Sequence, residues 1–312
     1  MKILVTGGTG MVGSAFNNIK TGHHLILYGS DAYDLRDKNQ VDDMFYKNKV
    51  DAVIHLAAKV GGVKGNTDYI SDFFYDNIMI NTNLLNSAKN YNVPKLVSLM
   101  STCVYPDNVT YPLTENQIHY GEPHKSNFGY AYAKRMLDVH SRALREQYGY
   151  NYVTAIPNNM YGLNDCFDLS NGHVIPSIIR KIWEAKNKNV PPVFWGDGLS
   201  LREFTYAEDV ARILLWMVEN YNQESPLNIG STGEISISDI VEKVKNIIGY
   251  EGVVNWDPSM PKGQFRKPSN NTRFRTLSPD FKYTNIDVGL SKTCEWFQDK
   301  YPDIRGLKCQ NM

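Results

Sequence analysis

The chain has no surplus of charge of either sign: 33 Lys and Arg stand against 33 Asp and Glu among 312 residues. A balanced chain carries no global field that would draw it to nucleic acid or to an anionic membrane, so any phosphate it binds must be held by a local site. Cysteine is scarce as well. Cys103, Cys166, Cys294 and Cys309 are the only four, and none stands in the close pairs of a zinc knuckle or a disulfide framework. No run approaches the roughly 20 apolar residues of a membrane span, and the opening Met-Lys-Ile-Leu-Val-Thr is too short for the core of a signal peptide. Repeats and low-complexity tracts are missing too. These absences lead to the expectation of a cytoplasmic protein with no resident metal, no nucleic-acid partner and no membrane partner.

What is present is alternation. At 312 residues there is room for a large α/β domain and a smaller lobe. Short aliphatic runs at 3–6, 25–28, 52–56, 96–99 and 152–156 read as buried strands, and amphipathic stretches at 13–19, 73–90 and 130–148 read as helices between them. A further helix over 174–186 leads into Pro191-Pro192, which cannot stand inside a central strand. The expected fold is α/β: a Rossmann-type doubly wound parallel sheet with a smaller C-terminal substrate-binding lobe. Its dinucleotide-binding part covers 1–160 and 199–230, and the lobe covers 161–198 and 231–312. The cleft belongs where the two meet.

Directly after the first strand stand Gly7-Gly8-Thr9-Gly10-Met11-Val12-Gly13. Glycines at 7, 10 and 13 leave room for a tight turn and for a pyrophosphate at a helix N-terminus, where free N–H groups and the dipole favour negative charge. Such a turn alone also occurs between ordinary strands and helices. Its position after an N-terminal strand supplies the context that a cofactor loop requires. At the end of the second strand, Tyr28-Gly29-Ser30-Asp31 offers neither a clean acidic partner for a ribose 2′-hydroxyl nor a cation for a 2′-phosphate. Asp34-Leu35 just beyond either flank an adenine or form a turn over a buried leucine.

Tyr130 and Lys134 are four residues apart and share one face of a helix. A cation beside a phenol lowers its pKa from about 10 and makes it a usable general acid. The same spacing is common on solvated helix faces, so its weight comes from its place after a phosphate loop and four strands. Ser101 follows the fourth strand, where a hydroxyl can share a substrate carbonyl oxygen with Tyr130; a capping serine is the plainer alternative.

Ser101, Tyr130 and Lys134, the glycine loop and the strand end His55-Leu56-Ala57-Ala58 together closely resemble the extended short-chain dehydrogenase/reductase family over essentially the whole chain. The resemblance implies a carbonyl polariser at Ser101, an acid/base at Tyr130, and at Lys134 a pKa modifier that also holds the nicotinamide ribose. It further implies cofactor contacts at Gly7, Gly10, Met11, Val12, Gly13, Asp34, Leu35, Ala57, Ala58, Pro157 and His173. Within the family, Ser101-Thr102-Cys103-Val104-Tyr105-Pro106, Pro157-Asn158-Asn159-Met160-Tyr161-Gly162 and Gly172-His173-Val174-Ile175-Pro176 are similar to one branch. Its members invert C3 and C5 and reduce C4 of a GDP-4-keto-6-deoxy sugar. That likeness implies Cys103 as base, His173 as acid, and Asn159, Lys181, Trp195, Arg202 and Lys267 around a GDP-sugar. It also implies NADP(H) and a homodimer paired through the helices over 73–90 and 130–148. Other members carry a cation at the place of Ser30 or Thr9, so the choice of NADP(H) is implied by the family and not by these residues. A related nucleotide-sugar epimerase that returns its hydride, such as a GDP-mannose-type 3,5-epimerase, and a catalytically silent dinucleotide-binding sensor are the competing readings.

Overall fold

The computed structural model describes residues 1–260 and 265–307. Strand β1 (Lys2–Thr6) leads through the glycine loop into α1 (Met11–Ala15), and β2 (His24–Tyr28) into α2 (Lys38–Lys47). After β3 (Ala52–His55) come α3 (Val63–Asp68) and α4 (Ile70–Asn90), then β4 (Lys95–Leu99), α5 (Phe128–Tyr148) and β5 (Asn151–Ile156). Helix α2 starts at Asp37, whose carboxylate accepts from Asn39 N, and α5 stops at Gly149, which adopts φ +77°. Both ends follow the rules of helix termini: an acidic N-cap and a left-handed glycine at the close.

These strands pair in the order β2-β1-β3-β4-β5, every pair parallel. The chain leaves β1 toward β2 on one side and returns to β3 on the other. That reversal opens a crevice at the strand C-terminal ends, the usual ligand site of such sheets. Side chains alternate between two buried faces, as a doubly covered parallel sheet requires. Ile3, Val5, Ile54 and Val97 enter one core with Val210 and Leu214, whereas Leu4, Val53 and Leu96 enter the other with Met44, Leu85 and Leu137.

Beyond β5 lie β6 (Asn159–Tyr161), α6 (Val174–Lys188), β7 (Val193–Trp195), β8 (Leu201–Tyr206), α7 (Ala207–Asn220) and β9 (Leu227–Asn228). The chain closes with β10 (Glu234–Ser236), α8 (Ile237–Ile248), β11 (Asn255–Asp257), α9 (Thr272–Leu277) and α10 (Ile286–Lys300). The α/β expectation holds: β9 adds a sixth parallel strand beside β5, and α7 covers the first core. Strand β8 differs, because it pairs with β6 and β10 in a separate three-stranded sheet and does not rejoin the main one. Its buried Phe204 and Tyr206 face a third core with Ile178, Ile182, Val241 and Phe297. Strand β7 starts just past Pro191-Pro192 and pairs only with β11, at an edge where missing N–H donors are tolerated.

Helix ends also moved. The first helix begins at Met11 with Gly10 as N-cap and gives way to a 3₁₀ turn at Phe16–Asn18, instead of running over 13–19. The two long helices start at Ile70 and Phe128, earlier than periodicity alone indicated, because their first turns hold polar and aromatic residues that carry no core stripe.

Candidate active site

A cleft of about 1390 Å³ runs along the strand ends and under the lobe. Gly7, Gly10, Met11, Val12, Gly13, Asp34, Leu35, Ala57, Ala58, Ser101, Cys103, Tyr130, Lys134, Asn159, His173, Lys181, Trp195 and Arg202 all line it. Two expected residues do not. Pro157 lies behind the wall, where its carbonyl accepts from Thr102 N at 3.2 Å. Lys267 stands back from the cleft lining, yet close enough to Cys103 for their charges to interact. Cys309 and the stretch Gly263-Gln264 fall outside the described residues.

The glycine loop is a cradle that side chains would fill. A Cβ at Gly13 would lie 2.2 Å from Gly7 O, one at Gly8 2.6 Å from Leu27 Cβ, and Gly7 itself adopts φ +70° against Ala57. Only bare backbone packs so closely, and Gly10 is left facing the cleft. This arrangement fits a dinucleotide pyrophosphate.

Under the loop, His55 is fully buried and accepts from Thr6 Oγ1 (2.8 Å) while its Nε2 meets Asn81 Oδ1 (3.1 Å). Asn81 uses its Nδ2 on Ala133 O (3.0 Å), so its oxygen must accept and His55 Nε2 must donate. Burial and nearby Lys134 push the imidazole down to about 3, which keeps it neutral. The pair straps β3 to the residue before Lys134.

Lys134 Nζ donates to Leu99 O at 2.9 Å and lies 6.0 Å from the centre of the Tyr130 ring. Burial lowers this ammonium to about 8. Tyr130 departs from expectation: burial and then the charge of Cys103 push its phenol well up, because desolvation disfavours the phenolate. Cys103 behaves alike. Its thiol is raised by burial, against a hydrogen bond from Ser101 and the pull of Lys267 and Lys134. Ser101 caps the 3₁₀ turn that carries Cys103, its Oγ 3.4 Å from Cys103 N.

His173 stands at the N-cap of α6, its Nδ1 3.9 Å from Asp165 Oδ1. Asp165 holds the imidazole above its ordinary range, against burial and the repulsion of Arg305. On the lobe side Lys181 Nζ donates to Val193 O (2.8 Å), Arg202 donates to Leu201 O (2.7 Å), and Asn159 Nδ2 to Glu203 O (2.9 Å). Trp195 is 57% exposed beside them. Such part-exposed polar side chains, resting on carbonyl partners, can exchange them for a polar ligand.

The profile of the NAD dependent epimerase/dehydratase family matches residues 3–230. The chain belongs to that family.

A GDP-L-fucose synthase of Dictyostelium discoideum is 40% identical over 310 residues, with 97% of each chain covered. That of Escherichia coli (strain K12) is 33% identical over 318 residues, covering 98% of this chain and 99% of its own. The crystal structure of a GDP-L-fucose synthetase from Naegleria fowleri bound to NADP superposes with a TM-score of 0.92 at 38% identity, covering 97% of this chain and 94% of the other.

Sequence reasoning missed three side chains of this family member's cleft and one buried behind it. Asp165 is 4% exposed and steers His173, but an acid three residues past Gly162 carries no pattern. Glu203 is buried, accepts from Ser269 Oγ (2.6 Å), Ser269 N (3.1 Å) and Asn158 Nδ2 (3.2 Å), and so fixes the segment just after Lys267. Arg36 lines the cleft six positions beyond Ser30, its guanidinium on Asp34 (2.7 Å) and near Asp76 (3.4 Å). Arg305 reaches the cleft from the C-terminal end. Each is brought there by tertiary contacts between segments far apart in the chain.

Proposed function

We infer that the protein is a GDP-L-fucose synthase, which inverts C3 and C5 of GDP-4-keto-6-deoxy-D-mannose and reduces C4 with NADPH. The observation that carries this reading is one cleft lined by the glycine loop, by Ser101, Tyr130 and Lys134, and by Cys103 and His173. Residues 1–160 with α7 and β9 form the cofactor side in this reading, and the rest shapes the sugar-nucleotide side.

The C4 ketone acidifies the hydrogens on C3 and C5. Cys103 removes a proton from one face, and His173, whose protonated form Asp165 favours, returns one from the other. Between the two, the negative charge sits on O4, where Ser101 and Tyr130 hold it as an oxyanion hole does. The raised thiol suits a base that is neutral until substrate arrives, with Lys267 and Lys134 already placed to favour the thiolate. Bound NADPH supplies the hydride for C4. Tyr130, with a phenol that keeps its proton, delivers it to O4, and Lys134 would hold the nicotinamide ribose while Leu99 O fixes its Nζ. The glycine loop would hold the pyrophosphate, and Arg36 the 2′-phosphate. Asn159, Lys181, Trp195, Arg202 and Lys267 would hold the GDP-sugar, with Arg202 and Lys267 as phosphate cations.

Turnover of GDP-4-keto-6-deoxymannose with NADPH in D₂O tests the reading. Stoichiometric NADPH oxidation with deuterium at both C3 and C5 is expected. Epimerised sugar without oxidation would show a 3,5-epimerase instead, and oxidation without label would leave a plain 4-reductase.

The same reading includes a homodimer. Helices α4 and α5 pack together and leave Phe74, Tyr75, Phe128, Met136 and Val139 exposed along the pair, an apolar patch that a second copy would cover. Sedimentation at micromolar concentration is expected to give a dimer, and a monomer would end the proposal.

A further inference from the structure

A dinucleotide pyrophosphate brings two negative charges, and the loop Gly7–Gly13 that faces it contains no cation. Backbone N–H groups meet part of this charge. The remaining neutralisation must come from side chains that line the cleft. Most lining cations are already engaged: Arg36 on Asp34 and Asp76, Lys59 on Asp76 (2.7 Å), Lys134 on Leu99 O, Lys181 on Val193 O and Arg202 on Leu201 O.

Arg305 is different. Its Nη1 lies 4.0 Å from where a Cβ on Gly10 would stand, so the guanidinium hangs directly over the open face of the loop. It forms no ion pair among the described residues. Its backbone, by contrast, is pinned: Arg305 O accepts from Phe167 N at 3.0 Å, Ile304 is buried, and Gly306 follows at φ +91°, where a Cβ would fall 2.3 Å from Asp168 N. With its backbone already fixed, only the rotamers of Arg305 remain to be ordered on binding, a cost that a charge-assisted contact to phosphate offsets.

We propose that Arg305, delivered by the turn after α10, is a pyrophosphate ligand of the bound nicotinamide dinucleotide. The inference rests on the cofactor assignment above and adds a residue from the far end of the chain to it. The turn belongs to the packing of the lobe, through Phe167 and Ile304 in the third core. A dinucleotide held by Arg305 therefore ties the lobe to the glycine loop. Arg305 also repels a proton on His173, so pairing with the pyrophosphate relieves that repulsion and favours the acid form.

The test is equilibrium binding, read by fluorescence titration with NADPH, NADH and GDP, on wild type, Arg305→Ala and Arg305→Lys. Arg305→Ala is expected to weaken NADPH and NADH equally, by about tenfold, as loss of a charged hydrogen bond requires; Arg305→Lys recovers part of the loss, and GDP binding is unchanged. Equal affinities in wild type and Arg305→Ala would overturn the proposal. A loss for NADPH alone would move Arg305 to the 2′-phosphate, and a loss for GDP would move it to the substrate; either result also overturns it. Wild type that binds neither dinucleotide would instead refute the cofactor assignment. Arg305 is exposed, and a melting temperature within a few degrees of wild type is expected for both variants.

Discussion

The glycine loop is shaped by side chains that are missing, whereas the wall of Ser101, Cys103, Tyr130 and Lys134 is shaped by the burial of side chains that are present. At Gly7, Gly8 and Gly13, neighbouring atoms occupy the space where a Cβ would go, so close packing prepares the proposed phosphate site. At the wall, geometry is only half of the preparation. Burial lowers Lys134 to about 8 and pushes both the Tyr130 phenol and the Cys103 thiol up, so the phenol and the thiol are favoured in their neutral forms beside a cation that gives up its proton more readily than usual. The first half of the site is a matter of shape, and the second of charge in a dry place. A pyrophosphate always carries its charge, but a sugar ketone becomes charged only during reaction, and that difference accounts for the two designs.

The sharpest way to break the contrast is Tyr130→Phe. It removes a proton donor and no shape, so reduction is expected to fall by about 10²–10⁴-fold while NADPH binding is kept. Titration of NADPH beside steady-state rates separates the two. Loss of binding together with rate would mean that the wall is a shape device after all.

Arg36→Ala probes the loop side with a smaller effect. Its guanidinium sits between Asp34 and Asp76, and its removal leaves both carboxylates facing the 2′-phosphate. NADPH affinity should drop about tenfold, while NADH, which has no such phosphate, keeps its affinity or gains. Equal change for both dinucleotides would take Arg36 out of that role and leave the preference to backbone shape.

What was legible in the sequence divides along the same line. Gly7, Gly10 and Gly13, the strands of the parallel sheet and the pair Tyr130 and Lys134 stand at short, regular spacings, because one turn or one helix face dictates them. Strand β8 was assigned to the main sheet, yet it belongs to the lobe; its partners β6 and β10 are distant in the chain, and an apolar run does not say which sheet will take it. The same holds for Asp165, Glu203, Arg36 and Arg305. The direction of the Tyr130 shift was misread for a related reason. Spacing shows that Lys134 is near, but not how deeply the phenol lies or that Cys103 stands beside it.

Asp165→Asn tests the charge half most finely. The Asp165 carboxylate raises His173 above its ordinary value of about 6.5, while burial and Arg305 act the other way. With the acid replaced by an amide, those two remain and the imidazole falls below its present value. A reprotonating acid must carry its proton, so the alkaline limb of the rate profile should move to lower pH, with the loss of rate largest on the alkaline side and smallest in acid. Stability follows the same sign. A raised histidine contributes fully below its unfolded pKa and loses that contribution as pH rises through the folded value. The variant should therefore be less stable than wild type in mild acid and converge with it in alkali. Denaturant unfolding at both ends of that range checks the linkage, and a rate profile displaced to higher pH would show that His173 acts in its neutral form.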